Sequence, residues 1–294
     1  MMRSKMRFGG GLLACAIVCA FGAVTRASAQ DRPLETATVD VLPPGTMRGQ
    51  LGFDFLQGIE YPLSGLGGDL TSVGDMDLRL GLGGVAEVEL TGAVQQFLDV
   101  KSQGMSFVPL QLTGPNSTHD TGDYSMIAKF KVFGESGRRP ALSVRFGFIL
   151  PNTNQTRGIG NNATDVFAEF VVGRHFGNWD VFGNLGLEIM TSPNALYSQN
   201  DEFLYGLAFS YPLKPRIHLV GEVAGRQDTR RFNAGLLGTE SRGEGRLGLQ
   251  ISAGGFRWDV AGIAGVYAND PRTGFTFGVS KDIQLFHPAQ TSKP

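Results

Sequence analysis

Apolar and polar residues alternate along most of this chain with a period of two. Leu142, Val144, Phe146, Phe148 and Leu150 stand at every second position, with Ser143, Arg145 and Gly147 between them. That spacing sends the two sets to opposite faces of a β-strand. The same rhythm recurs from Met47 to Ile283 and predicts about twelve strands. They lie near residues 47–55, 75–82, 85–97, 122–133, 142–150, 164–175, 179–190, 202–211, 216–226, 241–253, 256–267 and 274–283. Lengths near ten residues suit a tilted membrane crossing, which takes ~9–11. The connections alternate in length. Gly83-Gly84, residues 135–140, Gly177-Asn178, residues 212–215 and Gly254-Gly255 are short, whereas residues 57–74, 98–121, 151–163, 191–200 and 227–240 make long ones. The predicted fold is all-β: an antiparallel transmembrane β-barrel of about 12 strands, of the outer-membrane type. Short turns and both termini face the periplasm, and long loops face outward.

The charges decide which face meets lipid. The polar parity carries both signs on neighbouring strands and supplies the expected lumen-lining residues Arg79, Glu87, Glu89, Lys129, Lys131, Arg145, Glu169, Glu188, Glu222, Arg246, Arg257 and Asp259. An arginine on the lipid face at mid-depth would cost ~2–4 kcal/mol, so Arg145 and its companions turn inward and the aliphatic and Phe set turns outward. A secreted β-sandwich or lipocalin-like barrel would show the same alternation inside out. Strand length, loop order and the aromatics near strand ends, Phe55, Trp179, Tyr211 and Trp258, favour the membrane barrel. Acids and bases together predict a lumen with little ion selectivity.

The first residues stand apart from this pattern. Arg3, Lys5 and Arg7 precede an apolar run from Leu12 to Val24 that ends in Ala27-Ser28-Ala29, the form of a secretory signal with a small-residue cleavage site. Residues 1–29 are read as that signal, 30–46 as a periplasmic N-terminal lead-in marked by Pro33, Pro43 and Pro44, 47–286 as the barrel and 287–294 as a C-terminal tail. Leu12-Leu13-Ala14-Cys15 also fits a lipoprotein cleavage box, but too little apolar chain precedes Cys15 to serve as a signal core. Cys15 and Cys19 both lie in the signal, so disulfides and cysteine metal sites are not expected after cleavage. Removing the signal's four cations leaves 22 basic against 27 acidic side chains, a net charge of -5, which argues against a nucleic-acid partner. The expected surroundings are outer-membrane lipid and lipopolysaccharide, with the barrel-assembly machinery and a small-molecule solute as partners.

Little chemistry is offered. Gly81 to Ala86 and Gly158 to Ala163 fit the G-x-G-x-x-A spacing, but period-two segments follow both, and neither opens a helix as dinucleotide binding requires. His119, His175, His218 and His287 show no metal-ligand spacing, although His218 shares its parity with Glu222 and could pair with it. No serine stands in a nucleophile elbow. No catalytic, cofactor or metal site is expected.

One stretch carries a family likeness. Gly122-Asp123 leads a strand with Lys129 in it, Pro140-Ala141 opens a strand that ends at Leu150-Pro151, and Thr164-Asp165 and Arg174-His175-Phe176-Gly177 follow. In these Gly-rich motifs, over about its middle third, the chain resembles the outer-membrane barrels labelled as putative transporters of the MetA-pathway of phenol degradation. The resemblance implies passage of small aromatic or hydrophobic molecules and no catalytic residue. The leading functional expectation is therefore a barrel for passive passage of small molecules. A closed structural or adhesive barrel working through its outer loops, and an outer-membrane hydrolase, are the alternatives.

Overall fold

In a closed barrel each wall strand is hydrogen-bonded on both sides and separates an inner from an outer environment, so period-two sequences settle there without exposed edges. The computed structural model describes residues 32–193, 199–230 and 237–287. The signal segment and almost all of the tail lie outside the described residues. The strands are β1 (Thr46–Tyr61), β2 (Leu66–Leu82), β3 (Ala86–Gln103), β4 (Ser117–Asp120), β5 (Ser125–Phe133), β6 (Ala141–Ile149), β7 (Asp165–Phe176), β8 (Trp179–Thr191), β9 (Gln199–Lys214), β10 (Ile217–Asp228), β11 (Arg242–Ala253), β12 (Phe256–Gly265) and β13 (Thr273–Gln284). Each wall strand pairs antiparallel with its sequence neighbours, and β1 pairs with both β2 and β13, which closes the sheet. The short β4 only adds to the far end of β3, so the wall itself has 12 strands.

Thr46 pairs with Gln284, which puts the two ends of the barrel chain together at the rim of short turns. The opposite rim carries the long loops. Leu51, Phe146, Leu185, Leu207 and Leu247 are exposed on the outer face, while Arg79, Glu87, Lys129, Glu222 and Asp259 on the alternate parity are buried. No described helix is long and apolar enough to cross a membrane.

Two sequence expectations need correction. Residues 57–74, read as a loop, are mostly strand: β1 and β2 run on together to Tyr61↔Leu66, joined by a tight turn. Register shifts between Gly52 and Phe53 and between Leu56 and Ile59 reset the side-chain parity there, which is why the alternation fades before the strand does. The second concerns the lead-in. From Arg32 onward it does not hang free in the periplasm but folds back from Gly45 into the barrel, where Leu34, Thr36, Ala37, Thr38, Val39 and Leu42 are buried.

Candidate functional site

The lead-in forms a strap that circles the inside of the wall, meeting the strands in order. Leu42 donates its N–H to Glu87 of β3 at 2.7 Å. Asp40 pairs with Lys131 of β5 at 2.7 Å, and the Thr38 carbonyl accepts from Lys129. The Val39 carbonyl accepts from Ser143 of β6, and Ala37 and Val39 pack on Ala141 and on Val171 of β7. The Asn184 amide of β8, with its oxygen turned to the strap, accepts from the Ala37 N–H and donates to the Ala37 carbonyl, both at 2.9 Å. Leu34 seats among Phe182, Ala208 and Val220 of β8, β9 and β10. Glu222 of β10 accepts from the N–H groups of Glu35 and Thr36 at 2.7 and 2.8 Å.

The circuit ends at Arg32. Its carbonyl accepts from Gln250 of β11 at 2.9 Å, its N–H donates to Gln50 of β1, and its guanidinium reaches Asp54 of β1, Asp75 of β2, Asp259 of β12 and Thr276 of β13. A backbone without its own ladder partners must find them elsewhere when buried, and here the inward side chains of the wall supply them. Gly52 and Gly278 make the approach possible: a Cβ on either would lie within 3 Å of the Arg32 guanidinium.

The residues expected to line the lumen are organised around this strap. Arg145 bridges Glu89 and Glu169 at 3.0 Å each, and Lys129 lies between Glu87 and Glu89. Arg246 contacts Glu244 at 2.6 Å and Glu35 at 2.8 Å, with Glu222 and Asp54 at 3.9 Å. Arg79 pairs with Asp77. Asp259 stands beside Arg32, Glu188 is buried on the inward face of β8, and Arg257 is half-buried on the inward face of β12. His218 faces Ser210 at 3.4 Å rather than Glu222, whose oxygens are taken up by the strap. Among the described residues no group of His, Asp and Glu is placed to hold a metal ion.

Above the strap, toward the long loops, the lumen opens into a cavity of about 500 Å³. Glu35 forms part of its floor. Leu56, Ile59, Leu63 and Ile159 contribute an apolar side, and Asp123, Asp165 and Arg226 a polar one. The loop Gly158–Ala163, whose glycine spacing suggested a dinucleotide motif only in form, helps to roof it: Ser64 donates to the Gly158 carbonyl at 2.7 Å and Asn161 donates to the Gly238 carbonyl at 2.8 Å. The strap and the cavity were both beyond sequence reasoning, though inward-parity glycines at 52, 173, 206 and 278 were a usable sign that something other than water fills the lumen.

No family model matches the chain, and no curated protein matches it. Among solved structures it is similar to an outer membrane channel from Pseudomonas putida F1, with a TM-score of 0.60 and 14% identity over 85% of this chain and 100% of that one. The translocator domain of the autotransporter NalP from Neisseria meningitidis gives a TM-score of 0.46 at 14% identity, covering 83% of this chain and 90% of that one. The NanC porin gives 0.44 at 8% identity, covering 80% and 98%. The first of these shows a shared outer-membrane barrel fold, and at this identity it shows the fold alone.

Proposed function

We propose that the chain is an outer-membrane conduit for small solutes, exported by way of its signal segment and closed at rest by its N-terminal strap. The observation that carries this reading is the pairing of a cavity on the long-loop side with a strap directly beneath it. A barrel serving only to anchor its loops gains nothing from a cavity inside the wall. A conduit needs a place where solute leaves bulk water, and it must bind loosely enough there to release.

The strap suits a gate because of how it is held. Most of its anchors are ion pairs and hydrogen bonds to wall side chains. Such groups are rehydrated when water replaces the partner, so separating them into water costs far less than their contact energy implies. Its apolar seats, at Leu34, Ala37 and Val39, are few, and burying one leucine contributes ~1.5–3 kcal/mol. Cleavage after Ala29 would leave the strap with a free end, able to withdraw without breaking a connection. Small aromatic or hydrophobic solutes, the class implied by the family resemblance, fit the mixed lining of the cavity. No reaction is proposed for the lumen.

A closed structural barrel is the second reading, favoured by one observation: the strap and the ion pairs about Arg145, Arg246 and Arg32 occupy the lower lumen. Liposome swelling in small neutral solutes separates the two. Swelling above that of protein-free vesicles supports the conduit, and none supports the closed barrel.

A further inference from the structure

The outward face of the wall carries one residue out of keeping with its surroundings. From Met47 to Phe55 on β1, and along β12 and β13, every side chain on the outward parity is uncharged except Lys281. Its neighbours in the strand fix its direction, since Ser280 is buried on the lumen side and Asp282 turns inward to Arg48. Lys281 pairs with Gly49, three residue pairs from the Thr46↔Gln284 end of the seam that closes the barrel, or about 10 Å along the strand. Exposed Ile283 stands between it and that end, and exposed Leu285 and Phe286 follow. The ammonium is thus set inside the apolar band, close to its short-turn edge.

Among the described residues no carboxylate pairs with Lys281, and its Nζ lies over the ring of Phe256, 4.7 Å from the centroid. A cation on a lipid-facing wall is costly at mid-depth and tolerated near an interface, where the stem carries the charge to lipid headgroups. Gly49 is the second, independent sign. No contact requires a glycine there, since a Cβ would meet only Leu78 of β2, at an ordinary 3.7 Å, within regular strand. The missing side chain leaves a notch in the outer face between Leu78 and the Lys281 stem. On the far side of Lys281 the rings of Phe256, Trp258 and Phe277 form a row, with successive centroids 6.2 and 6.1 Å apart.

A lone ammonium beside a narrow apolar notch complements a molecule with one anionic head and a hydrocarbon chain. We propose that Lys281 and Gly49 form a binding site for one anionic glycerophospholipid of the periplasmic leaflet, its phosphate on the Lys281 ammonium and an acyl chain in the notch. The rim of short turns decides the source. In an outer-membrane barrel that rim faces the periplasm, whereas the phosphates of lipopolysaccharide belong to the opposite leaflet. Because the site straddles β1 and β13, the bound lipid braces the two strands whose pairing closes the wall. The proposal goes beyond the conduit reading and holds whether or not the lumen conducts.

The test uses the full chain purified from outer membranes and freed of lipid in a non-ionic detergent. Native mass spectrometry then counts bound phosphatidylglycerol, phosphatidylcholine and lipid A as each is titrated in. One phosphatidylglycerol is expected to bind at least about ten-fold more tightly than phosphatidylcholine, the gain of one charge pair in a partly desolvated site. Lys281→Met should abolish that preference, and Lys281→Arg should keep it. Gly49→Leu fills the notch without touching the charge, and should weaken phosphatidylglycerol binding by several-fold. Added phosphatidylglycerol should also raise the temperature at which the parent loses its folded gel mobility, and leave that of Lys281→Met unchanged. Equal binding of phosphatidylglycerol and phosphatidylcholine overturns the proposal. So does unchanged phosphatidylglycerol binding in Lys281→Met protein that still migrates as a folded barrel on unheated gels. Tighter binding of lipid A, lost in Lys281→Met, would assign the site to lipopolysaccharide and overturn the periplasmic source.

Discussion

The guanidinium of Arg32 donates to the carboxylate of Asp54 at 2.7 Å, tying the far end of the strap to the strand that begins fourteen residues further on. Asp75 and Asp259 face the same guanidinium. Arg32→Met removes the guanidinium that Asp54, Asp75 and Asp259 share, a loss of ~3–5 kcal/mol when one partner of a buried pair is removed. The strap, not the wall, is expected to absorb it, because the wall keeps its own ladder. Limited proteolysis of folded protein should then cut within residues 32–42, where the unsubstituted chain resists; an unchanged cleavage pattern contradicts the anchoring role.

Glu222 tests the middle of the strap. It accepts from two consecutive backbone N–H groups, those of Glu35 and Thr36, and Glu222→Ala orphans both at ~1–3 kcal/mol each. Glu222→Gln retains one acceptor oxygen and should have the smaller effect. Hydrogen exchange of the peptide spanning Glu35 and Thr36 is expected to rise in the order glutamate, glutamine, alanine. Equal protection in all three would mean that the strap is held elsewhere.

Lys129 is fully buried between Glu87 and Glu89. Lys129→Met takes the ion-pair partner from buried Glu87 and leaves Glu89 to Arg145 alone, and it should lower the temperature at which the barrel loses its folded gel mobility, by the equivalent of ~3–5 kcal/mol. Adding Glu87→Gln removes the charge that lost its ion-pair partner and is expected to recover part of the loss. A single variant as heat-stable as the parent would show that water reaches this cluster freely.

How far the sequence foretold these relationships depends on whether a residue belongs to a period. Arg145 could be assigned to the inner face because Val144 and Phe146 flank it and an arginine in lipid is costly, and it lies among Glu89 and Glu169. β6 and β8 were equally legible. Residues 57–74 were not, because two register shifts between β1 and β2 break the parity there. The strap escaped for a different reason. Thr36, Ala37, Thr38 and Val39 have no ladder partner of their own, so their pattern answers to whatever each meets on the wall: Glu222, Asn184, Lys129 and Ser143 in turn. The wall did record it, in glycines and apolar residues where lumen-facing polar ones belong. Gly206 approaches Thr36, Gly173 approaches Val39, and Val171 is fully buried.

The outer face makes a separate prediction. Leu207, at the middle of β9, is 64% exposed. If that face meets lipid, Leu207→Arg should destabilise the barrel by ~2–4 kcal/mol in urea unfolding from liposomes. A surface bathed in water would accept the same substitution within ~0.5 kcal/mol, and that result would remove the membrane assignment.

Single-channel recording in planar bilayers, comparing the intact chain with a variant lacking residues 32–41, puts the gate itself to the test. With the strap absent, the anchoring carboxylates and cations face water, and the variant should show stable open steps several times larger than any openings of the intact protein. Equal conductance in the two would mean that the strap does not govern passage. Silence in both, from barrels that migrate as folded, would contradict the conduit.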